Sequence, residues 1–334
     1  MPSSIVRAPT QPSELSTDLR EDVRVAEELR THHRAENTLR AYRQDWAVFS
    51  GWCEIQGLVA MPAAPQTLAA YVGALVRGSV PGREGVRHPR KPSTIRRHLS
   101  SISKAHAVKG IEPSPTKHAL VREAVEGAMR VLGVRRTKKR AATSDVVIAM
   151  LRHVAGTRDR CILLLGFYMG ARRSEIVGVN IEDVSFGEQG VTVLIQRSKT
   201  DQHGEGMHKF IPRTEAGCIE SLRSLIASMH SDGITSGALF RSSKGKRERL
   251  ADHHVATLIK RAIDGARKET GDERFDEKLF SGHSLRAGLV TTLSRNGVPI
   301  QQIQPKTGHK TLNALMEYVR HENDWERDPA RGLM

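Results

Sequence analysis

Residues 281–319 read SGHSLRAGLVTTLSRNGVPIQQIQPKTGHKTLNALMEYV. Leu285, Leu289 and Leu293 recur at the spacing of one buried helix face, which predicts a helix over 284–296. Shorter helices follow at about 299–304 and 311–320, the last with Leu312, Leu315, Met316 and Val319 as its apolar stripe. Tyr318 lies about 100° around that helix from its neighbours and is free to point elsewhere. His283 and Arg286, three residues apart at the start of the first helix, share a face. A helix N-terminus also presents free backbone N–H groups and a positive dipole end, so imidazole, guanidinium and dipole can meet on one phosphate. His309 stands nine residues before Tyr318. An isolated H-x-x-R is usually a surface pair and a tyrosine near a helix end is usually packing, so neither feature decides alone.

Upstream, GARRSEIV (170–177) places Arg172 between Gly170 and Glu175 in a helix–turn–helix junction. Arg173 is adjacent, and consecutive helical residues point about 100° apart, so only one of the two arginines faces a common site. Between these segments VTVLIQ (191–196) and HKFIP (208–212) predict a β-hairpin, with Lys199 in the SKTDQHGEG loop and Lys209 on the returning strand. Helices at about 144–154, 158–169, 215–230 and 251–268 complete a segment, 143–334, that is mostly helical with a small sheet.

The N-terminal part has a different pattern. Residues 1–30, rich in Pro, Ser, Thr and Glu, read as a mobile arm ending in a short helix. Leu39, Tyr42, Trp46, Phe49 and Trp52 then mark a helix ended by Gly57, and further helices are expected at about 65–77, 93–107 with Ser93 as N-cap, and 116–132. Residues 31–132 thus predict a compact helical bundle. The loop GSVPGREGVRHPRKPS and the helix after it carry Arg83, Arg87, Arg90, Lys91, Arg96 and Arg97, which either grip phosphate or form a solvated face. Residues 133–142, GVRRTKKRAA, put Arg135, Arg136, Lys138, Lys139 and Arg140 in a stretch without apolar periodicity, a basic linker suited to a phosphate backbone.

Composition agrees with a polyanionic partner: 52 Lys+Arg against 37 Asp+Glu give a formal net charge of +15. Charge alone fits a repressor or a nuclease equally well. The three cysteines match no zinc or disulfide spacing, and no membrane span or signal peptide is evident, so a cytoplasmic protein is expected, nucleoid-associated if bacterial. A metal site at His203 and His208, or at Asp252–His254, lacks the i,i+4 pair with a general base. No phosphate-cradling glycine loop for nucleotide is present, and no cofactor is expected.

It is the conjunction that decides. MGARRSEI (169–176), H-x-x-R at His283 and Arg286, and G-H followed nine residues later by Tyr318 resemble, in order and spacing, the three boxes of the tyrosine recombinase and phage integrase family. AENTLRAYRQDWAVFSGWCEIQGL also resembles the first helix of that family's DNA-binding domain, and the 281–319 stretch is most similar to Cre-type members. The resemblance implies a mainly α fold, with an N-terminal helical core-binding (SAM-like) domain and a mostly helical catalytic domain holding a small antiparallel sheet. It implies that Arg172, Lys199, His283, Arg286, His309 and Tyr318 are catalytic, with Glu175 supporting. Arg172 and Arg286 would each donate paired hydrogen bonds to nonbridging phosphate oxygens, with His309 as a further donor. His283 would help draw off the proton of Tyr318, the nucleophile, directly or by ordering the site, and Lys199 would protonate the departing 5′-oxygen, with Lys209 the nearby competitor for that role. No metal is then needed. Implied partners are double-stranded DNA with inverted half-sites, a homodimer on one site and a homotetramer in the synapse. A type IB topoisomerase shares the chemistry without paired sites, and a catalytically idle DNA-binding protein shares the fold. The sixteen residues after Tyr318 leave a simple two-domain recombinase as the expectation.

Overall fold

In the computed structural model of the protein, residues 19–25, 36–81, 88–133, 139–196, 206–214, 217–243, 248–316 and 319 are described. The chain divides into two compact units, Met1–Arg136 and Thr137–Met334.

The first unit packs α1 (Glu36–Ile55) against α3 (Pro92–Val108), and α2 (Pro65–Arg77) against α4 (Ala119–Leu132). Phe49, Leu68, Tyr71, Leu75, Ile95, Ile102 and Val121 form its core, the stripe that the three-and-four spacing predicts. Helix α3 opens one step earlier than expected: Lys91 is its N-cap, Pro92 takes the first turn and Ser93 lies inside the helix. Proline is pre-set for that first position and has no N–H to leave unpaired. Residues 19–25 are helical.

The second unit is built around α6 (Thr157–Tyr168), whose residues Cys161–Phe167 are all buried. A helix that is apolar all round sits in the middle of a core. Around it lie α5 (Ser144–Arg152), α8 (Cys218–Ser231) and α10 (Ser284–Arg295), with α7 (Arg173–Gly178) following it and α9 (His253–Thr270) outside. The sheet has three antiparallel strands in the order β1 (Val184–Phe186), β2 (Gly190–Ile195), β3 (Met207–Pro212). The predicted hairpin is β2–β3, with Val193 opposite Lys209; β1, too short for alternation to be read, is an addition. On the inner face of the sheet Val191, Val193 and Ile195 meet Lys209 and Ile211, so the pleat carries Lys209 inward. Helices α11 (Ile300–Thr307) and α12 (Leu312–Met316) close the unit, with Val290, Ile303 and Leu315 forming a small core of their own. Among the described residues no helix is long and apolar enough to cross a membrane.

Residues 139–142, read from sequence as the end of the linker, are stitched to the second unit. Arg140 N donates to Leu279 O (2.6 Å), Ala142 N to Ser284 O (2.9 Å), Arg140 Nη1 to Arg274 O (3.0 Å), and Lys139 Nζ to Lys278 O. The strip crosses α10 at Gly288, where a Cβ would lie 1.7 Å from the Ala142 carbonyl oxygen. Gly288→Ala is therefore expected to destabilise this unit by about 1–3 kcal/mol, as overpacking does. Denaturant unfolding of the full chain measures it; an unchanged midpoint would mean the strip moves aside freely.

Candidate active site

The first segment of the site is made where α6 ends. Gly170 turns the chain with φ +56, and Arg172 becomes the N-cap of α7. Glu175, buried, grips Arg172 twice: Oε2 accepts from the Arg172 backbone N (2.8 Å) and Oε1 from Nη1 (2.5 Å). Two charge-assisted bonds from one carboxylate fix both the backbone turn and the guanidinium. Arg173 turns away toward Asp252 (3.7 Å), so Arg172 is the arginine that faces the site.

The second segment starts α10. His283 precedes the helix as its N-cap with an exposed side chain, whereas Arg286, three residues on, is 2% exposed. Arg286 Nη1 donates to the Gly170 carbonyl (2.8 Å) and Nε to His309 Nε2 (3.3 Å), joining residues 116 and 23 positions away in sequence. His309, buried beyond the end of α11, is held on its other side by Thr307, whose Oγ1 is 2.7 Å from Nδ1 and donates its own proton to Ile303 O. These partners assign the ring proton to Nδ1, leaving the Nε2 lone pair for Arg286. Burial, then Arg286, Arg172 and Lys209, push the His309 pKa down to about 3, so the ring is neutral. In this arrangement the Nε2 lone pair accepts from Arg286.

Lys209 completes the cluster. It is 3% exposed, its Nζ donates to Lys306 O (2.6 Å), and its pKa falls to about 8 through burial, opposed by Glu175 and aided by Arg286, Lys306 and Arg172. A groove of about 640 Å³ beside it is lined by Met207, Lys209, Phe210, Lys306 and His309. Lys199 and Tyr318 lie outside the described residues; Val319 packs against Val290, Ile303 and Leu315. The buried placement of Lys209 was present in the sequence as strand alternation with Ile211. Thr307 was missed, and only its hydrogen bond to His309 reveals it.

The expected phosphate-gripping residues fare differently. Arg83, Arg87, Arg135, Arg136, Lys138 and also His203 lie outside the described residues. Lys91 and Arg96 are exposed, and Arg90 donates to Val80 O (3.3 Å). Arg97 is exposed, and its Nε and Nη2 donate to buried Asp45 at 2.7 and 2.9 Å, whose carboxylate also lies 3.4 Å from His98. Lys139 and Arg140 spend one donor each on carbonyls of the second unit and keep exposed side chains. Asp252 serves Arg173 while His253 and His254 stack on each other (4.3 Å), and among the described residues no group of His, Cys, Asp and Glu has the form of a metal site.

The sequence pattern of the phage integrase family matches residues 140–324, more than half of the chain. An integrase/recombinase xerD homolog from Selenomonas ruminantium is 30% identical over 301 residues, covering 87% of this chain and 83% of that protein. The recombinase cre of Escherichia phage P1 is 23% identical, covering 83% and 81%. Among solved structures, the Tn1549 transposon integrase in complex with transposon right end DNA superimposes with a TM-score of 0.61 at 17% identity, covering 92% of this chain and 97% of that one.

Proposed function

The chain belongs to the phage integrase family, and from that premise we propose that it is a site-specific tyrosine recombinase whose substrate is duplex DNA and whose nucleophile is Tyr318. The observation that carries this reading is Arg286: buried, bonded to Gly170 and to His309, it draws the three sequence boxes into one cluster.

The chemistry follows from the groups. The Tyr318 oxygen attacks the phosphorus, forming a 3′-phosphotyrosyl bond as the bond to the 5′-oxygen breaks. His283 takes the tyrosine proton and Lys199 supplies one to the leaving oxygen. Negative charge growing on the nonbridging oxygens meets the guanidinium groups of Arg172, held by Glu175, and Arg286, held by His309. Because their partners are fixed before substrate arrives, little reorganisation is needed at the moment of reaction. A 5′-hydroxyl of another strand reverses the step, releasing tyrosine, and the conserved number of phosphoester bonds explains why no ATP is required. Two chains on inverted half-sites, and four in a synapse, exchange strands in turn through a Holliday junction.

Incubating the chain with fragmented genomic DNA from its source, denaturing with detergent and sequencing the DNA bound to protein tests this. Recovery of one recurrent site with protein at a 3′-end is expected; absence of any covalent adduct would overturn the reading. Binding itself carries a further expectation. Changing Arg135, Arg136, Lys138, Lys139 and Arg140 to Gln should weaken affinity for all sequences and reduce the log–log salt slope by about 0.9 per lost phosphate contact. An unchanged slope with altered preference at particular base pairs would mean that these residues read bases.

A further inference from the structure

Strand β3 and helix α11 are joined by two crossing bonds. Lys209 Nζ donates to the backbone carbonyl of Lys306 (2.6 Å), and Lys306 Nζ reaches back to the backbone carbonyl of Phe210. The carbonyl of Lys306 lies in the last turn of α11, where no further turn of helix supplies a partner. An ammonium there satisfies an orphan acceptor at the negative end of the helix dipole.

What the two elements carry gives the bonds their meaning. β3 ends the loop that holds Lys199, the proposed general acid. α11 leads through Gly308, in the left-handed region at φ +70, to His309 and on to Tyr318, the proposed nucleophile. The inner face of β3 otherwise takes apolar residues, Ile211 beside it being 1% exposed. A buried ammonium in such a row costs desolvation that an apolar side chain of the same length would not. Its titratable neighbours are Glu175 and Arg172 at α7, Arg286 on α10, Lys306 on α11 and the neutral His309 after it, three of the five being cations. Its bond to the Lys306 carbonyl and its attraction to Glu175 are what offset that cost.

We propose that Lys209 and Lys306 form a reciprocal strap that holds the general-acid strand in register with the nucleophile segment, which makes Lys209 a positioning residue for strand cleavage. The strap acts through placement and transfers no proton itself. A misplacement of about 1 Å between reacting groups can cost about a hundredfold in rate, and two crossing bonds resist sliding of β3 along α11 better than one. The proposal rests on the recombinase reading above, since it presumes that Lys199 and Tyr318 act on one phosphate.

The test uses the full chain and the DNA site recovered by adduct trapping, and measures single-turnover cleavage at saturating DNA together with Kd. Lys209→Met and Lys306→Met should each cleave about 10- to 100-fold more slowly with Kd within about twofold of wild type. The double variant should be little slower than the slower single one, because either change opens the same strap. On DNA with a 5′-bridging sulfur, which leaves without needing a proton, both variants should remain slow. Lys306→Met carries the test should Lys209→Met fail to fold. Cleavage by Lys306→Met at the wild-type rate, or single effects that multiply in the double variant, overturns the strap. Recovery of Lys209→Met on the sulfur substrate overturns it in favour of Lys209 as the acid. Absence of adduct from the wild-type chain itself removes the recombinase reading, and the catalytic role of the strap with it.

Discussion

Tyr318→Phe is expected to bind DNA and assemble synapses as the unaltered chain does, and to form no covalent adduct at all. The change removes one hydroxyl and almost no surface, so packing arguments predict no loss of fold. The phenol, with a reference pKa of about 10, contributes nothing to affinity that a salt-bridged phosphate backbone would miss. In the proposed mechanism its oxygen is the atom that becomes bonded to phosphorus. A denaturing gel of protein incubated with labelled site DNA reads the result. A surviving protein–DNA band would require another nucleophile. Tyr168 is the first to examine: it is half-buried at the end of α6, with its hydroxyl 2.9 Å from Thr214 Oγ1.

The second large effect concerns proton delivery. Lys199→Ala should cleave ordinary DNA about 10²–10⁴-fold more slowly, the range for a lost general acid. It should regain most of that deficit when the leaving atom is a 5′-bridging sulfur, because a thiolate departs without a proton. Arg172→Ala should not recover, since it loses charge stabilisation on the nonbridging oxygens, which the sulfur leaves untouched. The comparison separates Lys199 from Lys209 chemically. Lys209, with its amine pushed down to about 8 by burial and bonded to Lys306 O, has the protonation equilibrium of an acid but a donor already engaged. If Lys199→Ala stays equally slow on both substrates while a Lys209 variant recovers, the acid is Lys209.

The fold was legible wherever periodicity ran long enough. The stripe Leu285, Leu289, Leu293 and the run from Leu39 to Trp52 both became helices with the expected faces inward. Val184–Phe186 did not show, because three residues cannot display an alternation. Ser93 lost the N-cap to Lys91 because Pro92 beside it is the stronger starter. In the site, Arg172, Arg286 and His309 could be picked out by motif and do converge, but what each does with its hydrogen bonds could not. Whether His309 donates or accepts depends on Thr307 and on Arg286, one next to it and the other far along the chain. Arg97 likewise showed only its charge in the sequence, although in the fold this exposed side chain is paired. Its partner Asp45 lies 52 residues upstream, on another helix, and nothing local to either residue signals the pair.

The stitched strip at residues 139–142 bears on where the protein can be divided. A fragment begun at Thr143, where the apolar periodicity of the second unit starts, would lack the backbone bonds from Arg140 to Leu279 and from Ala142 to Ser284. It would also leave Gly288 without the Ala142 carbonyl that covers it, on the helix that carries Arg286. A fragment begun at Thr137, where the two compact units part, retains the strip. The start of the apolar periodicity and the start of the compact unit thus differ by a handful of residues, and only a fragment begun at the earlier one keeps the bonds that tie the strip to Leu279 and Ser284.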